Sequence, residues 1–205
     1  MKKKSKIETG KNNILKESFV KGQTYKDVYN KKELWRELAD SYNGKFKIHQ
    51  TINKDINSFI LEIPYKDYVL ILTETDTKPL KFETEIKLIE KFEFNISWEN
   101  GIEKILKLFR KKDINVNDKE FDKKYLIQSN KPELIIRVLN TGQIKQSVLR
   151  NNIYLMNLQY SKKNKIYKLM IVKDRNTKKI ELMNDLIKLV FSLIDFFINE
   201  NLIKN

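Results

Sequence analysis

Apolar positions along the chain recur with two different periods, and each period predicts a different kind of element. The densest apolar run is 186–198, LIKLVFSLIDFFI, near the C-terminal end. Asp185, Lys188, Ser192, Asp195 and Asn199 fall in and beside it at spacings of 3, 4, 3 and 4. On a helix this gathers them into one narrow solvent stripe and leaves a broad face of Leu, Ile, Val and Phe. Residues 176–205 therefore predict a long helix buried over most of its circumference, capped by Asp174 or Asn176 and wrapped by other elements.

The middle of the chain follows period two. Phe82, Ile86, Leu88, Phe92, Phe94, Ile96 and Trp98 are all even-numbered, while the odd positions between them are mostly Glu, Lys and Asn. That is a sheet with one buried and one solvated face, broken at Glu90 by a turn or bulge. Phe46, Ile48 and Ile52 alternate in the same way and put His49 on the opposite, wet face. Residues 59–63 and 68–73 flank PYKD and predict a hairpin; 125–128, 152–159 and 165–173 predict further strands, the last two joined by SKKN.

Helical spacing returns at four places before the terminal helix. Asn30, with Glu33 three residues on, opens a helix carrying Leu34, Trp35, Leu38, Ala39 and Tyr42, and Gly44 stops it. Residues 100–111 place Ile102, Ile105, Leu106 and Phe109 on one face. Asn130 caps a third helix with Pro132 in its first turn, and 143–149 form a fourth. Strands segregate from helices instead of alternating with them. The predicted class is α+β, a mostly antiparallel sheet packed around a long, largely buried C-terminal helix. Residues 30–205 read as a single domain, and a helix followed by a meander occurs twice, over 30–98 and 130–205, as in a pseudo-repeat. Residues 1–29 read as a basic flexible tail: eight lysines against Glu8, Glu17 and Asp27, a net of +5.

Charge raises the question of a polyanionic partner. The chain carries +14, and clustered lysine neutralises phosphates without regard to base sequence. Lys2, Lys3, Lys4 and Lys6, the run Arg110, Lys111 and Lys112, and the turn with Lys162, Lys163 and Lys165 are the candidate nucleic-acid contacts. Against them, only five of the 41 basic residues are arginine, the residue suited to bidentate phosphate and guanine contacts, so the lysine excess also fits drift in an AT-rich genome. The Glu83, Glu85 and Glu93 side of the 82–98 pattern would repel a nucleic acid.

Other chemistry thins out on inspection. With no cysteine there are no disulfides, thiolate metal sites or cysteine nucleophiles, and with one histidine, His49, no histidine pair for a metal. No glycine-rich phosphate loop, GxSxG elbow or HExxH helix is present. Asp113, Asn115 and Asn117 space oxygens as a calcium loop begins, but Asp118 and Lys124 stand where glycine and glutamate belong. Asp67, Asp76 and Lys78 could serve a metal-dependent nuclease, with paired carboxylates holding the ion that activates water. No stretch reaches the roughly 18 apolar residues of a membrane span, and the basic N-terminus has no apolar segment behind it.

Phe121, Asp122, Tyr125, Ile127, Ser129 and Pro132, then Ile153-Tyr154-Leu155 and the Leu/Ile run from Leu186 to Leu193, carry a resemblance. Over residues 121–205 the chain resembles an uncharacterised bacterial family, a domain of unknown function. The resemblance implies a short strand, a proline-opened helix, a hairpin and a closing helix, and no activity. Members are commonly preceded by membrane-spanning helices, which this sequence lacks. The expectation is a cytoplasmic, bacterial or phage-like, non-enzymatic binding or accessory protein with no catalytic residues, cofactor or metal. Its partner would be another protein or a second copy; nucleic-acid binding is the alternative, and the nuclease a distant third.

Overall fold

The computed structural model describes residues 6–8, 25–51, 56–75, 78–98, 114–173 and 179–203. Strand β1 (Lys6–Glu8) is followed by helix α1 (Tyr25–Ser41) and the meander β2 (Lys45–Thr51), β3 (Ile56–Tyr65), β4 (Tyr68–Thr75) and β5 (Leu80–Ile86). Then come β6 (Phe94–Trp98), α2 (Lys119–Lys124), β7 (Tyr125–Ser129), α3 (Pro132–Asn140) and α4 (Ile144–Arg150). A hairpin of β8 (Ile153–Ser161) and β9 (Ile166–Lys173) leads to the closing helix α5 (Ile180–Asn199). All nine strands join one sheet in the order β1-β2-β3-β4-β5-β9-β8-β6-β7, and every neighbouring pair is antiparallel. The protein is α+β, with its C-terminal helix packed against the sheet.

One face of the sheet makes the core. Following the register across eight strands gives a single row, Phe46–Leu61–Leu72–Phe82–Ile171–Met156–Ile96–Ile127, buried in every strand but β2, where Phe46 is half-buried. Trp35 of α1 lies on this face, 5.9 Å from Phe46 and 5.7 Å from Phe59 between ring centroids. The other face carries pairs such as Lys47–Glu62 at 2.8 Å. The polar stripe of α5 falls as its spacing predicts: Lys188, Ser192 and Asn199 are exposed, Asp185 and Asp195 half-buried, and eight residues between them are buried. Phe197 reaches Phe92 edge-on at 6.3 Å, and α3 and α4 bury Ile135, Val138, Leu139, Ile144 and Val148 beside the helix.

Several boundaries differ from the sequence reading. Helix α1 begins at Tyr25, so Asn30 lies inside it; Tyr25 and Val28, ten and seven residues before Trp35, continue its helical spacing. Asn130 does not cap α3, whose N-cap is Lys131. Its side chain instead accepts from Glu93 N at 2.7 Å and donates to Lys91 O at 3.2 Å, pinning the segment that enters β6. The even-numbered series from 82 to 98 is two strands that are not neighbours, because the β8–β9 hairpin inserts between β5 and β6. Its parity survives because residues 87–93 leave the sheet and return with Phe92 still in the core, while Ile89 N donates to Leu202 O at 2.8 Å. The expected helix at 100–111 and the expected caps Asp174 and Asn176 lie outside the described residues.

Candidate functional site: a cleft where the sheet divides

Strand β4 pairs with β3 from Ser58↔Thr75 to Tyr65↔Tyr68, and β5 pairs with β9 from Leu80↔Lys173 to Ile86↔Tyr167. Between β4 and β5 only three pairs form: Ile71↔Glu83, Leu72↔Phe82 and Thr73↔Lys81. Beyond Ile71 the two half-sheets separate. The β3–β4 turn has two residues, Lys66 and Asp67, with Lys66 at φ 52°. Such a turn makes Tyr65 and Tyr68 a pair that exchanges backbone hydrogen bonds, and antiparallel alternation then aims the backbone groups of Val69 and Ile71 toward β5. By the same alternation Ile71↔Glu83 aims those of Glu85 toward β4. The N–H and C=O of Val69 and of Glu85 therefore face the gap, in the place of the next, unmade pair.

The gap is a cleft of about 820 Å³, within the range of small-ligand pockets. Val69 is 50% exposed, Ile71 37% and Ile89 57%. These are three of the five large apolar side chains exposed among the described residues, and all three line the cleft. Scattered apolar exposure is ordinary, and here three of the five side chains share one concave surface. The Thr84 hydroxyl is buried in the wall without a hydrogen-bond partner. Glu83 is held by Lys81 at 2.7 Å and Lys168 at 3.5 Å, while Asp67 and Glu85 make no ion pair among the described residues. Burial, then the charge of Asp67, pushes the Tyr68 hydroxyl above its ordinary pKa and keeps it a neutral donor.

No family model matches the chain, and no curated protein sequence does. Its fold is similar to that of the mycobacterial trehalose monomycolate transport factor A, TtfA. The TM-score is 0.51 at 9% identity, covering 80% of this chain and 94% of that one. At that identity the likeness is one of fold.

The candidates from sequence do not gather at the cleft. Lys162, Lys163 and Lys165 are exposed on the β8–β9 turn. Lys6 lies on β1 at the sheet edge, five strands from β9 and its turn, a lateral separation of roughly 24 Å at the usual strand spacing. Lys2, Lys3, Lys4, Arg110, Lys111 and Lys112 lie outside the described residues. Of the nuclease set, Asp76 lies outside them too, and Asp67 and Lys78 flank opposite ends of the eight-residue β4, roughly 27 Å apart. In the calcium-like stretch the side-chain oxygens serve the backbone. Asp118 caps α2 by accepting from Phe121 N at 3.2 Å, Asp122 accepts from Val116 N and Asp118 N at 3.0 Å, and Asn115 accepts from Asn117 N at 2.7 Å. Among the described residues no three acidic or histidine side chains group as a metal site, and no helix is long and apolar enough to cross a membrane. The sequence reading passed over Val69, Ile71 and Ile89. Their signal was there: YVLIL is apolar at consecutive positions, and Ile89 is apolar on the odd, wet parity.

Proposed function

We propose that this chain is a non-enzymatic binding or accessory protein of the cytoplasm that holds its ligand in the β4–β5 cleft. The observation that carries the reading is the concentration of exposed Val69, Ile71 and Ile89 on one concave surface where the β4–β5 ladder stops. A fold similar to that of a transport factor agrees with an accessory role. The test is binding of the neutral, polarity-sensitive dye Nile red to the full chain. A saturable signal is expected, abolished in V69K/I89K with far-UV circular dichroism unchanged. Equal dye binding by the two proteins, or none by the wild type, overturns the reading.

A second reading, nucleic-acid binding, rests on Lys162, Lys163 and Lys165, exposed at one turn and without ion pairs among the described residues, on a chain of net charge +14. It requires binding to a mixed oligonucleotide pool that weakens steeply with salt and falls when these three lysines become glutamine. A flat salt dependence removes it.

A further inference from the structure

We infer that the cleft accepts an extended, basic-apolar peptide segment of a partner protein as an added strand where β4 and β5 part. The inference rests on the binding role proposed above and names the ligand class. Three observations lead to it.

The first is the backbone. Val69 and Glu85 present N–H and C=O groups to the same gap, and their pair is not made. An occupant must satisfy those groups or bury them unpaired at a cost. A peptide strand carries matching donors and acceptors along one edge, and addition to an open sheet edge is a recurrent mode of peptide recognition. A hydrocarbon chain carries neither.

The second is side-chain alternation. In a strand, alternate side chains point to opposite faces, so an added strand lays every second side chain on the face formed by Val69 and Ile71, with Ile89 closing the end. The third is charge. On a chain of +14 the lining carries Asp67, Glu83 and Glu85 against Lys87 and Lys168, a net of −1; Glu83 already has its lysines, and Asp67 and Glu85 have no ion pair among the described residues. A basic side chain on the incoming strand is attracted there, whereas a phosphate or a lipid headgroup anion is repelled. The unpaired stretch covers Tyr68–Leu70 opposite Thr84–Ile86, roughly 10 Å of strand, so the segment is short and its binding reversible.

The probe is a fluorescein-labelled, end-capped octapeptide of alternating Lys and Val, titrated into the full chain and read by fluorescence anisotropy. Saturable binding is expected, with displacement of Nile red. Methylating one or the other alternate set of its amide nitrogens removes the donors on one strand edge, and one of the two sets should weaken binding at least about tenfold. D67N/E85Q should weaken the Lys-Val peptide by a similar factor, and a Glu-Val octapeptide should not bind. Peptide binding indifferent to both methylation patterns and to D67N/E85Q overturns the inference, as does displacement of Nile red by dodecanoate but not by the peptide. If Nile red binds and the peptide does not, only this inference falls. If neither binds, the binding role falls with it.

Discussion

Tyr65 ends β3 beside the cleft and touches α5 in two ways, which makes it the most informative single position. Its ring stacks on Phe191, with centroids 3.7 Å apart and planes within 5°, and its hydroxyl lies 2.9 Å from both oxygens of Asp195. Burial, then the hydrogen bond and charge of Asp195, raise the Tyr65 pKa, opposed by the charge of Lys66, so the hydroxyl remains a neutral donor. Tyr65→Phe keeps the stack and deletes the donor. A hydrogen bond to a charged group contributes about 1.5–3 kcal/mol when buried. The Asp195 side chain is 40% exposed, so solvent screening brings the expected loss to about 1 kcal/mol, or roughly 2–4 °C in Tm for a chain of this size. Tyr65→Ala also removes the ring, and the stacked pair plus the lost apolar burial bring the total to about 3 kcal/mol. Urea unfolding of wild type, Y65F, D195A and the double variant closes a cycle whose coupling should be about 1 kcal/mol. Additivity within about 0.3 kcal/mol, or an unshifted midpoint for Y65F, refutes the assignment of that hydrogen bond.

Burial works to raise the Asp185 carboxyl, but hydrogen bonds from Asn151 and Arg150, with the charges of Arg150 and Lys188, hold its pKa below the ordinary 3.8. Stability from this group is therefore complete above that value and lost as pH falls through the lower folded-state pKa. The urea midpoint should drop as pH falls below about 3.8, less steeply in D185N, and an identical slope in the variant counts against the Asn151 and Arg150 contacts. A Cβ on Gly44 would lie 2.9 Å from Glu62 O and 3.0 Å from Leu61 Cδ1. Gly44→Ala should cost about 1–3 kcal/mol, measured as a lowered Tm, although the backbone there needs no left-handed conformation. Asn130→Ala removes two hydrogen bonds to the β5–β6 crossover and should cost about 1–2 kcal/mol by urea unfolding, whereas loss confined to α3 helicity would favour a capping role.

What the sequence made legible follows from which interactions are local. The α5 stripe was readable because 3.6-residue periodicity alone decides it, and Lys188, Ser192 and Asn199 are exposed as that period requires. The even-numbered series at 82–98 told which side chains enter the core but not which strands are neighbours. Parity is a property of each strand, while the insertion of β8 and β9 depends on pairings about 60 to 90 residues away. Asn130 illustrates the same limit: the Asn-x-Pro pattern suits a cap, yet its amide serves Glu93 and Lys91, 37 and 39 residues earlier. The cleft was invisible for a stronger reason. It exists because a ladder stops, and no residue type encodes the absence of the pair between Val69 and Glu85.

Both strand ends beyond the ladder are tied to the closing helix. The free end of β4 is fixed through the tight turn and Tyr65 to Phe191, in the middle of α5. The free end of β5 runs into Leu88 and Ile89, which bridge Ile203 and bond Leu202, residues just past the end of the same helix. The chain reverses there at Asn201, φ 53°, with Leu202 N donating to Phe197 O at 2.8 Å, a C-terminal capping turn that leaves Leu202 and Ile203 beside the last turn of α5. Phe191 and Asn199 are eight residues apart, about 12 Å along a helix axis, whereas paired strands sit about 4.8 Å apart. The two strand ends are thus tied to separate points along one helix, and the ladder between them is confined to the three pairs from Ile71 to Thr73.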